Sequence, residues 1–228
     1  MTTEQFWEIV EDSHDKSMTV NEQKLFARLT AISEAEILAF DRIWTEHYYR
    51  LYTNALWGAA HLAQGWCSDD GFMDWRNWII SCGREAFEIA LDRPDDLVPL
   101  IDSEPDAGCE GIAYIADNAL RAKNPQWEGV SPVHDTLVRP KEPAGPRWAS
   151  EEDLRMLLPK VYHRYVENPT AVEKKMQDPE TLVKTFGAKL GEPQVFRPSV
   201  EEVEIGSAKG RRLTFTPVPK KPWWKFWK

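Results

Sequence analysis

Apolar residues recur at helical spacing along the first half of the chain, and polar capping patterns precede them. Thr2 to Gln5 has the form of a capping box ahead of Phe6, Ile9 and Val10. Thr19 to Glu22 repeats the form before Leu25, Leu29 and Ile32, and Ser33 to Glu36 repeats it again. The third stripe is long: Ile37, Phe40, Ile43, Trp44, Tyr48 and Leu51 share a face, with His47 among them. Leu56, Ala59, Ala60 and Ala63 mark a fourth helix, which Gly65 ends by tolerating a left-handed backbone. Ser68 suits the N-cap of a fifth, with Asp69 and Asp70 in the first turn, where the helix dipole favours carboxylates. Phe72, Trp75, Trp78, Ile79, Ile80 and Cys82 fill a wide apolar arc of that helix, and Asp74, Asn77 and Ser81 fill the opposite face. Gly83 stops it. Arg76 breaks the pattern by projecting between Phe72 and Ile80. A guanidinium there must snorkel out or find a carboxylate, because an unpaired buried charge is very costly.

Arg84 to Leu91 reads as a further helix that Pro94 breaks, with Asp95 capping a short turn through Leu97 and Leu100. Ile112, Ile115, Ala116 and Ala119 mark a helix ending near Lys123. Pro125, Pro132, Pro140, Pro143 and Pro146 then punctuate a long connection, either laid over the domain or acting as a linker. Ser150 to Asp153 restarts a helix through Leu154, Leu158, Val161 and Tyr165, which Pro159 should kink or split. Asp178-Pro179 opens one more, stopped by Gly191. Val200 to Ile205 and Arg211 to Thr216 alternate as a small β-hairpin turning within Gly206 to Gly210. The expected fold is mainly α. A compact multi-helix domain covers 1–123, a Pro-rich connection 124–149 and a helical extension 150–191. A β-hairpin within 192–216 and a flexible Pro/Lys/Trp tail over 217–228 follow.

The segments Leu56-Trp57-Gly58-Ala59-Ala60 and Ser68-Asp69-Asp70-x-Phe72-x-x-Trp75-Arg76-x-Trp78 resemble an uncharacterised bacterial helical domain. That domain is sometimes found beside WGR domains in proteins labelled molybdate-metabolism regulators. Phe6-Trp7-Glu8-Ile9-Val10 and Arg93-Pro94-Asp95-Asp96-Leu97 are similar to it as well. The resemblance spans about the first half of the chain. It implies a helical fold with a shared structural centre and carries no activity or cofactor with it.

The 228 residues, 42% of them hydrophobic, suffice for one sizeable core. A net charge of −9 and a pI near 5.2 make nucleic acid an unexpected partner, since phosphate contacts need clustered Lys and Arg. Cys67, Cys82 and Cys109 form no CxxC pair, which argues against a disulfide framework and a zinc site. The N-terminus lacks a signal-peptide pattern and no apolar run reaches the roughly 20 residues a bilayer needs, so a cytoplasmic location is expected.

The strongest chemical group is Asp69, Asp70 and Arg76, with His47 or His61 nearby. They can bind a small polar ligand at the mouth of a tryptophan-lined cleft, or an Asp can act as a base. The competing reading has the two acids only starting a helix and Arg76 making an internal ion pair. His47 on an apolar face reads as a core histidine, and no histidine pair has metal-ligand spacing, so no metal or cofactor is expected. At the other end, Trp223, Trp224, Lys225, Phe226, Trp227 and Lys228 alternate aromatic and basic residues. They suit an anionic membrane surface at the inner face, or a groove on a protein partner. The resulting expectation is a non-enzymatic interaction or regulatory protein. The alternative is a small-molecule-binding or hydrolytic domain using the Asp/Asp/Arg cleft.

Overall fold

The structure is a computed structural model that describes residues 1–103, 111–127, 130–170, 196–205 and 208–217. It is mainly helical and divides into two units, Met1–Met176 and Gln177–Lys228.

In the first unit, α1 (Thr3–Asp12) begins with the expected capping box, Thr2 accepting from the Gln5 amide and Gln5 reaching back to Thr2. Helix α2 (Glu22–Ala31) is capped by Asn21 rather than by Thr19. Thr19 is engaged in a tight turn with Asp15 and Ser17, so it cannot open the helix. Helix α3 (Glu34–Arg50) starts at the Ser33–Glu36 box, and α4 (Asn54–Gln64) ends at Gly65 with φ of 73°. Ser68 caps α5 (Asp69–Ser81) by accepting from the Gly71 amide.

Helix α5 lies at the centre, and its polar residues are buried along with its apolar ones. Asn77 and Ser81, expected on an outer face, are 5% and 0% exposed. Asn77 accepts from Trp44 Nε1 at 3.1 Å, and the Ser81 hydroxyl donates to the Trp78 carbonyl. A buried polar group is tolerated where its hydrogen bond is made, so the alternation that marks a surface helix misleads for this one.

Helix α6 (Arg84–Asp92) packs on α5, α7 (Val98–Ser103) follows the short turn after it, and α8 (Ile115–Lys123) and the one-turn α9 (Val133–Thr136) pack on α3. Pro159 splits the next helix, giving α10 (Glu151–Leu157) and α11 (Pro159–Tyr162), the latter running into a π-helical turn. Asp95 caps α11, accepting from the Lys160 and Val161 amides at 2.8 and 3.0 Å. Leu154, Leu158 and Val161 enter the same core as Phe6, Trp75 and Leu120. The close approach of α10 to α4 depends on Gly58, where a Cβ would meet Leu154 Cδ2 at 2.7 Å.

The Pro-rich stretch is laid over this unit as a strap. The Asn54 side-chain amide lies 3.2, 3.3 and 3.0 Å from the carbonyls of Pro143, Ala144 and Gly145. Backbone bonds join Asn54 and Ala144, and Ala144 and Tyr52, while Trp148 Nε1 donates to the Asn54 carbonyl.

The second unit contains an antiparallel pair, β1 (Phe196–Ile205) and β2 (Ala208–Pro217), in register from Phe196 opposite Pro217 to Ile205 opposite Ala208. Both strands run longer than their alternating segments: pairing begins at Phe196 in β1, and β2 already pairs from Ala208, inside the span expected to turn, through to Pro217. The helix expected at Asp178 to Gly191 and the tail beyond Pro217 lie outside the described residues. Among the described residues no helix is long and apolar enough to cross a membrane.

Candidate functional site

A pocket of about 420 Å³ opens where the end of α3, the start of α5, Trp57 of α4 and the strap meet. Tyr48, Tyr49, Tyr52, Trp57 and Phe72 form aromatic walls; Asp69, Arg76, Arg139 and Lys141 bring charge. The size falls within the few hundred Å³ usual for small-molecule sites.

Arg76 is only 5% exposed. It does not snorkel out, and among the described residues it meets no carboxylate. Its Nε donates to the Phe72 carbonyl, and its Nη1 to the Tyr48 carbonyl, each at 3.3 Å. Its Nη2 donates to the Tyr48 hydroxyl at 2.8 Å. The guanidinium carbon sits 3.8, 4.8 and 5.0 Å from the ring centroids of Tyr48, Tyr52 and Phe72. Aromatic faces attract a cation most strongly where water is excluded, and so replace part of the lost hydration. A guanidinium carries five N–H donors, and among the described residues three hydrogen bonds use them. Burial pulls the Arg76 pKa down, with Tyr48 opposing, yet arginine stays protonated in proteins. Burial raises the Tyr48 phenol, against the pull of Arg76 and Arg139, so the ring enters the site neutral. Among the described residues neither Arg139 nor Lys141 makes an ion pair, and both are exposed on the strap.

Asp69 and Arg76 therefore share one pocket, while Asp70, also at the start of α5, does not line it. His47 lies elsewhere, stacked 5.1 Å from Trp7 and 4.4 Å from Phe87. Burial, aided by Arg50, pulls its pKa down to about 4. His61 packs against Trp148, its pKa lowered by burial. Cys67 precedes the cap of α5, where the helix dipole by itself lowers a thiol pKa. Burial outweighs that effect and, with Asp69 and Asp74, pushes the thiol up to about 12. The tail aromatics lie outside the described residues. Among those described, no three His, Cys, Asp or Glu side chains gather to hold a metal ion.

The residues missed by sequence reading are Tyr49, Tyr52, Arg139 and Lys141. Tyr48-Tyr49-Arg50-Leu51-Tyr52 is a visible cluster at the end of an amphipathic helix. Nothing local to Arg139-Pro140-Lys141 signals that the strap returns them some 60 residues back along the chain to α5.

The chain belongs to the family DUF4240, described as a protein of unknown function, whose model matches residues 1–122. No curated protein and no solved structure matches it.

Proposed function

We propose that the helical unit is a non-enzymatic recognition module that binds a small anionic ligand in the Arg76 pocket. One observation carries the reading: a buried guanidinium with unused donors lines a pocket whose other cations, Arg139 and Lys141, also make no ion pair among the described residues. A buried charge without a counter-ion is costly in the empty protein, and an anion entering the pocket supplies the missing partner. Titrating inorganic phosphate, benzoate and a mononucleotide by calorimetry tests the proposal. Binding of at least one, lost in Arg76→Met, is expected; no binding by any of them, or binding that survives Arg76→Met, would overturn it.

The likeness to WGR-associated domains supports a regulatory setting in a bacterial cytoplasm for such a module. The tail is assigned a separate contact. Lys220, Lys221, Lys225 and Lys228 beside Trp223, Trp224, Phe226 and Trp227 support peripheral association with an anionic membrane surface. A protein groove is the competing target. Co-sedimentation with anionic vesicles at low salt should be lost when the three tryptophans are changed to Ala; unchanged sedimentation refutes the membrane contact.

A further inference from the structure

We infer that the ligand of the Arg76 pocket is a free nucleoside monophosphate. The inference rests on the anion-binding reading above and names its chemical class.

Each part of the wall asks for a different part of one molecule. The half-buried rings of Tyr48, Tyr49, Tyr52 and Trp57 present π surface at the pocket. Trp57 is itself held in place, stacked on Phe72 at 5.1 Å with its Nε1 donating to the Cys67 carbonyl. A ring fixed from behind is a platform for a planar group, and bases stack on such platforms without needing hydrogen-bond readout.

Arg76, Arg139 and Lys141 outnumber what a single carboxylate can neutralise. A phosphate monoester carries about −1.5 to −2 charge at pH 7 and three acceptor oxygens. It suits a guanidinium with donors to spare, on a wall shared with two exposed cations. Benzoate and other aromatic monocarboxylates satisfy the rings but leave cations over. Inorganic phosphate satisfies the cations but leaves the rings bare.

Asp69 supplies the third requirement. It is an acceptor-only group on the wall of a cationic pocket. A ligand that were all anion would meet repulsion there, whereas ribose hydroxyls or an exocyclic amine donate to it. Nucleoside monophosphates combine a planar base, a donor-rich sugar and a dianion in a size fitting about 420 Å³. Recognition then runs through side chains, consistent with the absence of a Gly-rich phosphate loop from the sequence. The net charge of −9 disfavours a nucleic-acid strand as the source of the same chemistry.

The test is calorimetric titration of the full chain with AMP, GMP, CMP and UMP. Adenosine, inorganic phosphate, benzoate and a 5′-phosphorylated oligonucleotide serve as comparison arms. At least one mononucleotide should bind about tenfold or more tighter than adenosine, phosphate and benzoate. The double variant Arg139→Ala with Lys141→Ala lies on the exposed strap and leaves the core intact. It should weaken the mononucleotide about tenfold or more while moving adenosine little. Asp69→Asn should weaken mononucleotides and leave phosphate unchanged or tighter. Benzoate or phosphate binding as tightly as every mononucleotide would overturn the inference while leaving the anion pocket standing. Tighter binding of the oligonucleotide would overturn it in favour of a strand end. No binding in any arm would remove the anion pocket as well.

Discussion

His47 and Arg76 are both basic side chains set among aromatic rings, and the molecule treats them in opposite ways. His47 lies between Trp7 and Phe87, and neither ring nitrogen has a hydrogen-bond partner among the described residues. It avoids the cost of a buried charge by giving up its proton, with its pKa pulled down to about 4. Arg76 has no such exit, because a guanidinium does not deprotonate inside a protein. Its surroundings hold the charge instead, through Tyr48, two carbonyls and three ring faces, and leave it on the wall of a pocket. Aromatic burial alone therefore does not distinguish a site from a core. The distinguishing property is a charge that cannot be neutralised and is not matched by a carboxylate.

The largest expected effect tests whether Arg76 serves binding or the fold. Arg76→Ala empties a volume lined by Phe72, Tyr48 and Tyr52 and strands the Tyr48 hydroxyl, so a loss of about 2–4 kcal/mol is expected. Arg76→Met refills most of that volume but strands the same Tyr48 hydroxyl, so it should cost less than Arg76→Ala, about 1–2 kcal/mol. Chemical denaturation of the two variants decides between these roles. Equal losses in both would mean that the charge itself holds the fold, and the contrast with His47 would collapse.

Next in size is the pH dependence that His47 imposes. Its folded pKa is near 4 against an ordinary 6.5, so the unfolded chain binds more protons between those values. Stability must then fall as pH drops from 6.5 towards 4, by up to about 3 kcal/mol. Asp41 works in the opposite sense. Burial raises its pKa from 3.8, opposed by Ser131 and His134, so its contribution to stability falls as pH rises from 3.8. His47→Phe removes the first effect and keeps the second. Melting curves across this range should show a flatter acid slope for the variant. A slope equal to wild type would show that His47 is not buried in its neutral form.

Much of the helical frame is legible because its signals are local. Thr2, Ser33 and Ser68 each cap the helix that follows, and Pro159 splits a helix where its ring and missing amide require. The errors arise where a local signal competes with a tertiary one. Thr19 is drawn into a turn, leaving the cap to Asn21. Asn77 and Ser81 look like surface residues until Trp44 and the Trp78 carbonyl complete their hydrogen bonds. The site shows the same division. Asp69 and Arg76 lie seven residues apart on one helix, so their proximity can be read from its periodicity. Arg139 and Lys141 reach them only through the path of the strap, which no spacing rule encodes.

The smallest expected effect belongs to that strap and separates the two ends of the comparison. Asn54 is its main fastening, with one amide near three consecutive carbonyls. Hydrogen bonds of this kind contribute about 1 kcal/mol each on net, and they share one amide group, so Asn54→Ala should cost only about 1–2 kcal/mol. Its local consequence should be clearer than its global one. The Ala144 amide, bonded to the Tyr52 carbonyl at 2.9 Å, should exchange its hydrogen faster than in wild type. Arg139 and Lys141, held less firmly beside Arg76, should then bind anions more weakly, because ordering the strap is charged to each binding event. The acid slope set by His47 should not change, since its ring partners Trp7 and Phe87 are not among the residues that fasten the strap. Hydrogen exchange, anion affinity and the pH profile of melting can be measured on the same variant. If the acid slope shifts along with anion affinity, the aromatic stack and the pocket are coupled parts of one device rather than two independent solutions to buried charge.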